Sequence, residues 1–383
     1  MYFWHSKQIL MSRYPKSIIS LLLISFILFS CNCNKEKDTF TAKAELVTKQ
    51  YNKPKNIILL IGDGMGLSQV SASQFYNDKP SNFESFPIIG LSKTSSSSDL
   101  ITDSAAGATA FASGIKTYNG AIGVTSDTLS IGTIVEQVSI KGISSGLVST
   151  SSITHATPAS FYAHVKSRGM HDEIASFLVD SEVDFFAGGG LKYFNKRKDE
   201  KDLTIKLEEN GFDLSTDNFP EILSDNKQAI LLSKGAMPKM EEGRGDFLPN
   251  ATQLALDYLS KNEDGFFLMV EGSQIDWGGH DMDADYLISE LIDFDNTLGV
   301  ALDYAKQNGE TLIIVTADHE TGGFTLASDE RGDYNNIKPV FSTDGHSATM
   351  VPVFSYGPGS ELFSGVYENT EIYHKMLSLF QNN

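Results

Sequence analysis

With 383 residues, 41% of them hydrophobic, and 32 glycines, the chain has room for one large domain or two modest ones and is neither disordered nor fibrous in make-up. Its 30 basic residues against 49 acidic ones leave a formal charge of −19, which excludes nucleic acid as a bulk partner. An anionic substrate would therefore have to be met by local cations, not by the general surface.

The first thirty residues carry Lys7, Arg13 and Lys16 but no acid, followed by an apolar run over 18–29. This pattern reads as a secretory signal peptide over residues 1–30, and a start at Met11 gives it more usual proportions. Leu28-Phe29-Ser30-Cys31 resembles a bacterial lipobox, so Cys31 is expected to be the lipidated first residue after cleavage. The polar stretch 32–53 then reads as a tether, and the expected location is the periplasm or cell envelope, with a possible lipid anchor. Removing residues 1–30 leaves 27 basic against 49 acidic residues, a charge of −22. Both cysteines, Cys31 and Cys33, lie in this head region, so any metal held by the body must use carboxylates, imidazoles and hydroxyls.

The body alternates apolar runs with helix-like segments. In chain order, strands are predicted over 56–61, 88–93, 143–149, 184–187, 229–232, 266–270, 311–315 and 351–355. Helices are predicted over 66–76, 104–114, 131–141, 159–167, 199–210, 250–261, 284–308 and 370–380. The run Ser95–Ser98 reads as a loop, 188–190 as a turn, and 193–246 as decoration of the core. The alternation implies an α/β fold, a three-layer α/β/α sandwich with a central, mainly parallel sheet, in one continuous domain.

Reactive residues fall just beyond these strands, where open α/β sheets form their sites. Asp63 follows the first strand in a Gly62-Asp63-Gly64 turn, where it could bind a metal or cap the next helix. Thr102-Asp103-Ser104 opens a helix of small residues whose N-terminus suits an anion, although Thr102 or Asp103 could equally be a plain N-cap. No Ser-His-Asp triad is evident, so Ser104 as nucleophile would need a metal ion as its activator. Asp276 and His280, four apart, share one face of a helical turn, and Glu271 sits at a strand end before them. Asp318-His319 follow another strand, and His346 lies in a glycine turn after Asp344. Three histidines and several acids so placed point to metal chemistry.

These segments resemble the alkaline phosphatase family, from about Lys55 to the C-terminus and most closely its compact bacterial members, including cold-adapted ones. The resemblance implies one zinc on Asp276, His280 and His346 and a second on Asp63, Asp318 and His319, beside Ser104. It implies a magnesium on Asp63, Thr157 and Glu271, with Asp63 shared, and Arg168 clamping phosphate while Asp103 holds its guanidinium. His155 stands where many members have an aspartate near the magnesium and is counted with the metal-site residues. Trp277 stands where others have lysine or histidine near the phosphate. The implied reaction is hydrolysis of phosphate monoesters through a phosphoserine at Ser104, by a homodimer. The short gap from His319 to His346 implies a small or absent interface lobe, and His164, His171 and His374 are assigned no chemistry. A sulfatase would need a C/S-x-P-x-R segment that is absent around Ser104. A diesterase of the superfamily would usually lack Glu271 and Thr157, and a non-catalytic lipoprotein would not need Ser104 and Arg168.

Overall fold

Ile57 to Ile61 are apolar without a break and wholly buried, with Ile57, Leu59 and Ile61 in one core and Ile58 and Leu60 in another. A strand whose successive side chains enter two separate cores must lie inside a sheet covered on both faces. The computed structural model describes residues 52–380. The signal peptide, Cys31 and the tether up to residue 51 lie outside the described residues.

In chain order the strands are β1 (Asn56–Gly62), β2 (Ile88–Lys93), β3 (Ser144–Ser152), β4 (Phe185–Gly189), β5 (Phe212–Ser215), β6 (Lys227–Ser233), β7 (Phe266–Gly272) and β8 (Thr311–Thr316), then the short β9 (Glu320–Thr321), β10 (Thr325–Ser328), β11 (Ile337–Val340) and β12 (His346–Ser347), and finally β13 (Val351–Tyr356) and β14 (Gly365–Glu368). Ten of them form one sheet in the order β14-β2-β13-β8-β1-β7-β3-β4-β6-β5. Every neighbouring pair in it is parallel except the two made by β13.

The helices are α1 (Leu67–Tyr76), α2 (Ser104–Ser113), α3 (Ile134–Ser139), the one-turn α4 (Ala156–Ala159), α5 (His171–Val179), α6 (Lys192–Asn195), α7 (Leu203–Glu209), α8 (Phe247–Leu259), α9 (Gln274–His280), α10 (Ala284–Asn308) and α11 (Thr370–Phe380). Apolar residues of α2, α3, α5, α7 and α11 join the core on one face of the sheet. Those of α1, α8, α9 and α10 join the core on the other. The result is the three-layer α/β/α sandwich expected from the alternation.

All eight predicted strands are present, and the differences lie elsewhere. The helix expected over 159–167 stops at Ala159, because Val165 exchanges both backbone hydrogen bonds with Ile122 and is thereby lost to helical pairing. The helix expected over 131–141 shrinks to α3, whose start is set by a capping box between Thr133 and Glu136. Gly188 and Gly189 are strand residues of β4 and not a turn, and the stretch 193–246 supplies β5 and β6, one edge of the main sheet. Between His319 and His346 the chain makes only the β10–β11 hairpin and the β9–β12 pair.

Candidate active site

β1 delivers Asp63 into a turn that only glycine permits. Gly64 has φ +73°, and a Cβ there would lie 2.7 Å from Asp276 Cα, so the turn after β1 touches helix α9 through it. Asp63 is fully buried, and neither of its carboxylate oxygens has a hydrogen-bond partner. Asp318, just past β8, accepts at Oδ1 from the N–H groups of Gly64 (3.2 Å) and His319 (3.0 Å) and leaves Oδ2 unpartnered. His319 Nε2 lies 3.5 Å from Asp63 Oδ1 and 3.3 Å from Asp318 Oδ2. Burial, then the repulsion of Asp318, Asp276 and Glu271, pushes the Asp63 pKa well up, and burial raises that of Asp318 and keeps the His319 imidazole neutral.

The second group forms where α9 meets β12. One helical turn places Asp276 and His280 together, and His346 arrives from the paired strand. His280 Nδ1 is 2.6 Å from the Asp344 carbonyl and His346 Nδ1 is 2.8 Å from the Thr102 carbonyl. A carbonyl can only accept, so both Nδ1 atoms carry a proton, and in the neutral rings both Nε2 atoms present lone pairs. Those two Nε2 atoms lie 3.1 Å apart and 3.4 and 3.5 Å from Asp276 Oδ1. Two lone pairs and a carboxylate facing one another repel unless a cation sits between them. The donor sets thus fit metal ions, with imidazole and carboxylate as zinc prefers.

A third cluster shares Asp63 with Glu271 and His155. Glu271 Oε2 accepts from Ser149 Oγ at 2.6 Å, with Ser151 Oγ 3.4 Å away, while Oε1 has no partner. The buried Thr157 hydroxyl faces this carboxylate without a regular hydrogen bond of its own. These oxygens are a hard donor set, as magnesium requires. His155 Nε2 accepts from Arg168 Nη2 at 3.2 Å, and burial with Arg168 close by pulls its pKa down to about 3. It therefore orients Arg168 as a neutral ring, and its edge meets the half-buried Trp277 with ring centroids 5.8 Å apart.

Ser104 opens α2, and its Oγ lies 3.3 Å from His319 Nε2. Asp103 is both N-cap and guanidinium holder. Oδ1 accepts from the N–H groups of Ala106 and Gly120, each at 3.0 Å, and Oδ2 accepts from Arg168 Nη1 at 3.0 Å. Helix α2 approaches the Asp318 loop through Gly107, where a Cβ would lie 2.9 Å from Asp318 Cβ. The structure thus brings Asp63, Asp103, Ser104, His155, Thr157, Arg168, Glu271, Asp276, His280, Asp318, His319 and His346 to one sheet edge.

Sequence reasoning missed the residues that orient these ligands: Ser149, Ser151, Thr321 and the carbonyls of Thr102 and Asp344. One signal was available. Seven buried or half-buried residues of β3 carry hydroxyls or glycine in a strand that otherwise reads as core, and side-chain oxygens so placed need an acceptor.

Comparison with known proteins agrees with this geometry. The alkaline phosphatase family profile matches residues 54–336. Alkaline phosphatase 3 of Bacillus subtilis is 32% identical, covering 97% of this chain and 99% of its own length. Escherichia coli alkaline phosphatase is 31% identical over 85% of this chain and 86% of its own. The alkaline phosphatase of the Antarctic bacterium TAB5 superposes with a TM-score of 0.86 at 55% identity, over 87% of this chain and all of that one. Variants of that enzyme with a histidine replaced by aspartate or glutamate have been solved with Mg bound in the M3 site. The chain therefore belongs to the alkaline phosphatase family and is an enzyme of that family, a phosphomonoesterase.

Proposed function

We propose that the chain hydrolyses phosphate monoesters through a phosphoserine at Ser104, with zinc held by Asp276, His280 and His346, a second zinc by Asp63, Asp318 and His319, and magnesium by Asp63, Thr157 and Glu271 with His155 alongside. The observation that carries this reading is the set of unpartnered oxygens on Asp63, Asp318, Glu271 and Thr157, facing bare imidazole nitrogens beside a serine at a helix start. Bound metal ions supply the positive charge that favours a serine alkoxide, balances the departing oxygen and makes hydroxide available near neutral pH. Ser104 attacks phosphorus, the ester oxygen leaves as the alcohol, and water then releases inorganic phosphate. The α2 N-terminus favours the anion at Ser104. Arg168, pinned by Asp103 and His155, offers a planar fork to two phosphate oxygens. The Antarctic relative's Mg-bound variants support magnesium in a third site of this fold.

Metal analysis joined to rates on monoester, diester and sulfate substrates tests the reading. The expected result is two zinc ions and one magnesium, activity abolished by chelation and restored by zinc, and monoesters hydrolysed fastest. A diester preference, or full activity in metal-free protein, would overturn it.

We further infer export through the signal peptide 1–30, lipidation at Cys31, a tether ahead of a catalytic domain over 54–383, and a homodimer. The basic-then-apolar head and lipobox support the first two, and family likeness the last. Mass spectrometry of the mature N-terminus, and sedimentation of the purified chain, check them.

A further inference from the structure

Thr321 is fully buried between the two groups assigned to zinc and touches both. Its hydroxyl lies 2.5 Å from Asp276 Oδ1, in one group, and 3.1 Å from His319 Nδ1, in the other. A hydroxyl has one proton. The carboxylate can only accept, so that proton goes to Asp276, and the hydroxyl oxygen must then accept from His319 Nδ1–H. This places the acceptor lone pair of the neutral His319 ring on Nε2, the atom that faces Asp63, Asp318 and Ser104. The backbone that carries this hydroxyl is pinned. Thr321 N–H donates to the Gly64 carbonyl at 3.1 Å, Gln69 Nε2 donates to the Thr321 carbonyl at 2.9 Å, and the residue pairs with His346 across β9 and β12.

We propose that Thr321 is a positioning residue that couples the two zinc groups, setting the His319 tautomer and the Asp276 carboxylate through a single hydroxyl. The proposal rests on the zinc assignment above. Removing the hydroxyl frees both ligands at once: His319 can take the other tautomer, and Asp276 Oδ1 loses its only tight donor. Partners of metal ligands typically contribute about 10–100-fold to metal affinity. Here one substitution is expected to weaken two ions together.

The test titrates the full chain with zinc against a chromophoric chelator, comparing wild type with Thr321→Val, Thr321→Ala and Thr321→Ser. His280→Ala serves as a variant that strips a ligand from one group only. Both hydroxyl-free variants should lose about 10–100-fold in affinity for both ions, Thr321→Ser should bind as wild type, and His280→Ala should weaken one ion. Nitrogen-15 NMR of the metal-free histidines should find His319 protonated on Nδ1 in wild type and mixed in Thr321→Val. Thr321 is not the coupler if Thr321→Val or Thr321→Ala binds both ions normally, if only one ion weakens, or if Thr321→Ser fails as badly as valine. A wild-type chain that takes up no zinc sinks the zinc assignment and this proposal with it. A zinc-dependent wild type with an unaffected Thr321→Val sinks this proposal alone.

Discussion

Two clusters of buried charge among the described residues differ in one respect: in the first the carboxylates are paired with an arginine of the protein itself, and in the second they are not. Arg244 donates to Glu290 at 3.1 and 2.5 Å and to Asp293 at 2.7 Å, and the three side chains are almost wholly buried. Asp63, Asp318 and Glu271 are buried as deeply, yet each leaves at least one carboxylate oxygen unpartnered and no lysine or arginine pairs with them. Uncompensated buried carboxylates are costly, so the second cluster persists because a cation from outside completes it. The closed cluster ties the 239–246 segment to α10 and is structural. The open one is chemical.

The largest expected effect separates these roles most sharply. Ser104→Ala should lower kcat by about 1,000-fold or more, the scale of nucleophile loss, while zinc content and unfolding midpoint stay at wild-type values. A variant that kept its turnover would remove the nucleophile from the open cluster. Arg244→Met should do the reverse. Stranding Glu290 and Asp293 without their cation should cost about 3–5 kcal/mol in urea unfolding, with turnover per folded molecule unchanged. Equal stability would show that this cluster is not held by its charges.

Asp63→Asn tests the open cluster by sign. In chelated protein it should stabilise by about 1–3 kcal/mol, since it replaces a buried carboxyl that has no partner and sits among other carboxylates. In zinc it should destabilise, since it removes a ligand to the ions. Thermal unfolding with and without zinc checks this, and destabilisation in both conditions would count against an open cluster. The smallest effect is one of pH. Burial raises the Asp293 pKa from 3.8 to about 6 despite Arg244. A raised folded-state pKa contributes stability that is fully present below 3.8 and lost as pH rises through about 6. Asp293→Asn should flatten stability across that window, measured by urea midpoints at successive pH values, and an unchanged slope would contradict it.

Much of this arrangement was legible in the sequence because the chain announces it locally. An unbroken apolar run ending in Gly62-Asp63-Gly64, or Asp276 four residues before His280, carries its own geometry. What stayed hidden depends on partners far along the chain. Nothing local shows that Val165 pairs with Ile122, so a helix was expected where none forms. β5 and β14 are four-residue edge strands with partly exposed faces, too short to show a period. Thr321 reads as an ordinary threonine until Asp276 and His319 are seen on either side of it. Ligand types were therefore readable, and the hydroxyls that aim them were not.

The hydrogen bond from His346 to the Thr102 carbonyl spans 244 residues. Its consequence is one of timing. As the chain is made, Ser104 and Asp63 emerge early, but the second imidazole of the Asp276, His280 and His346 group arrives only with β12, near the end of the chain. Such long-range closure is slow and comes late. An emerging chain thus lacks part of its candidate site until the last strands are in place.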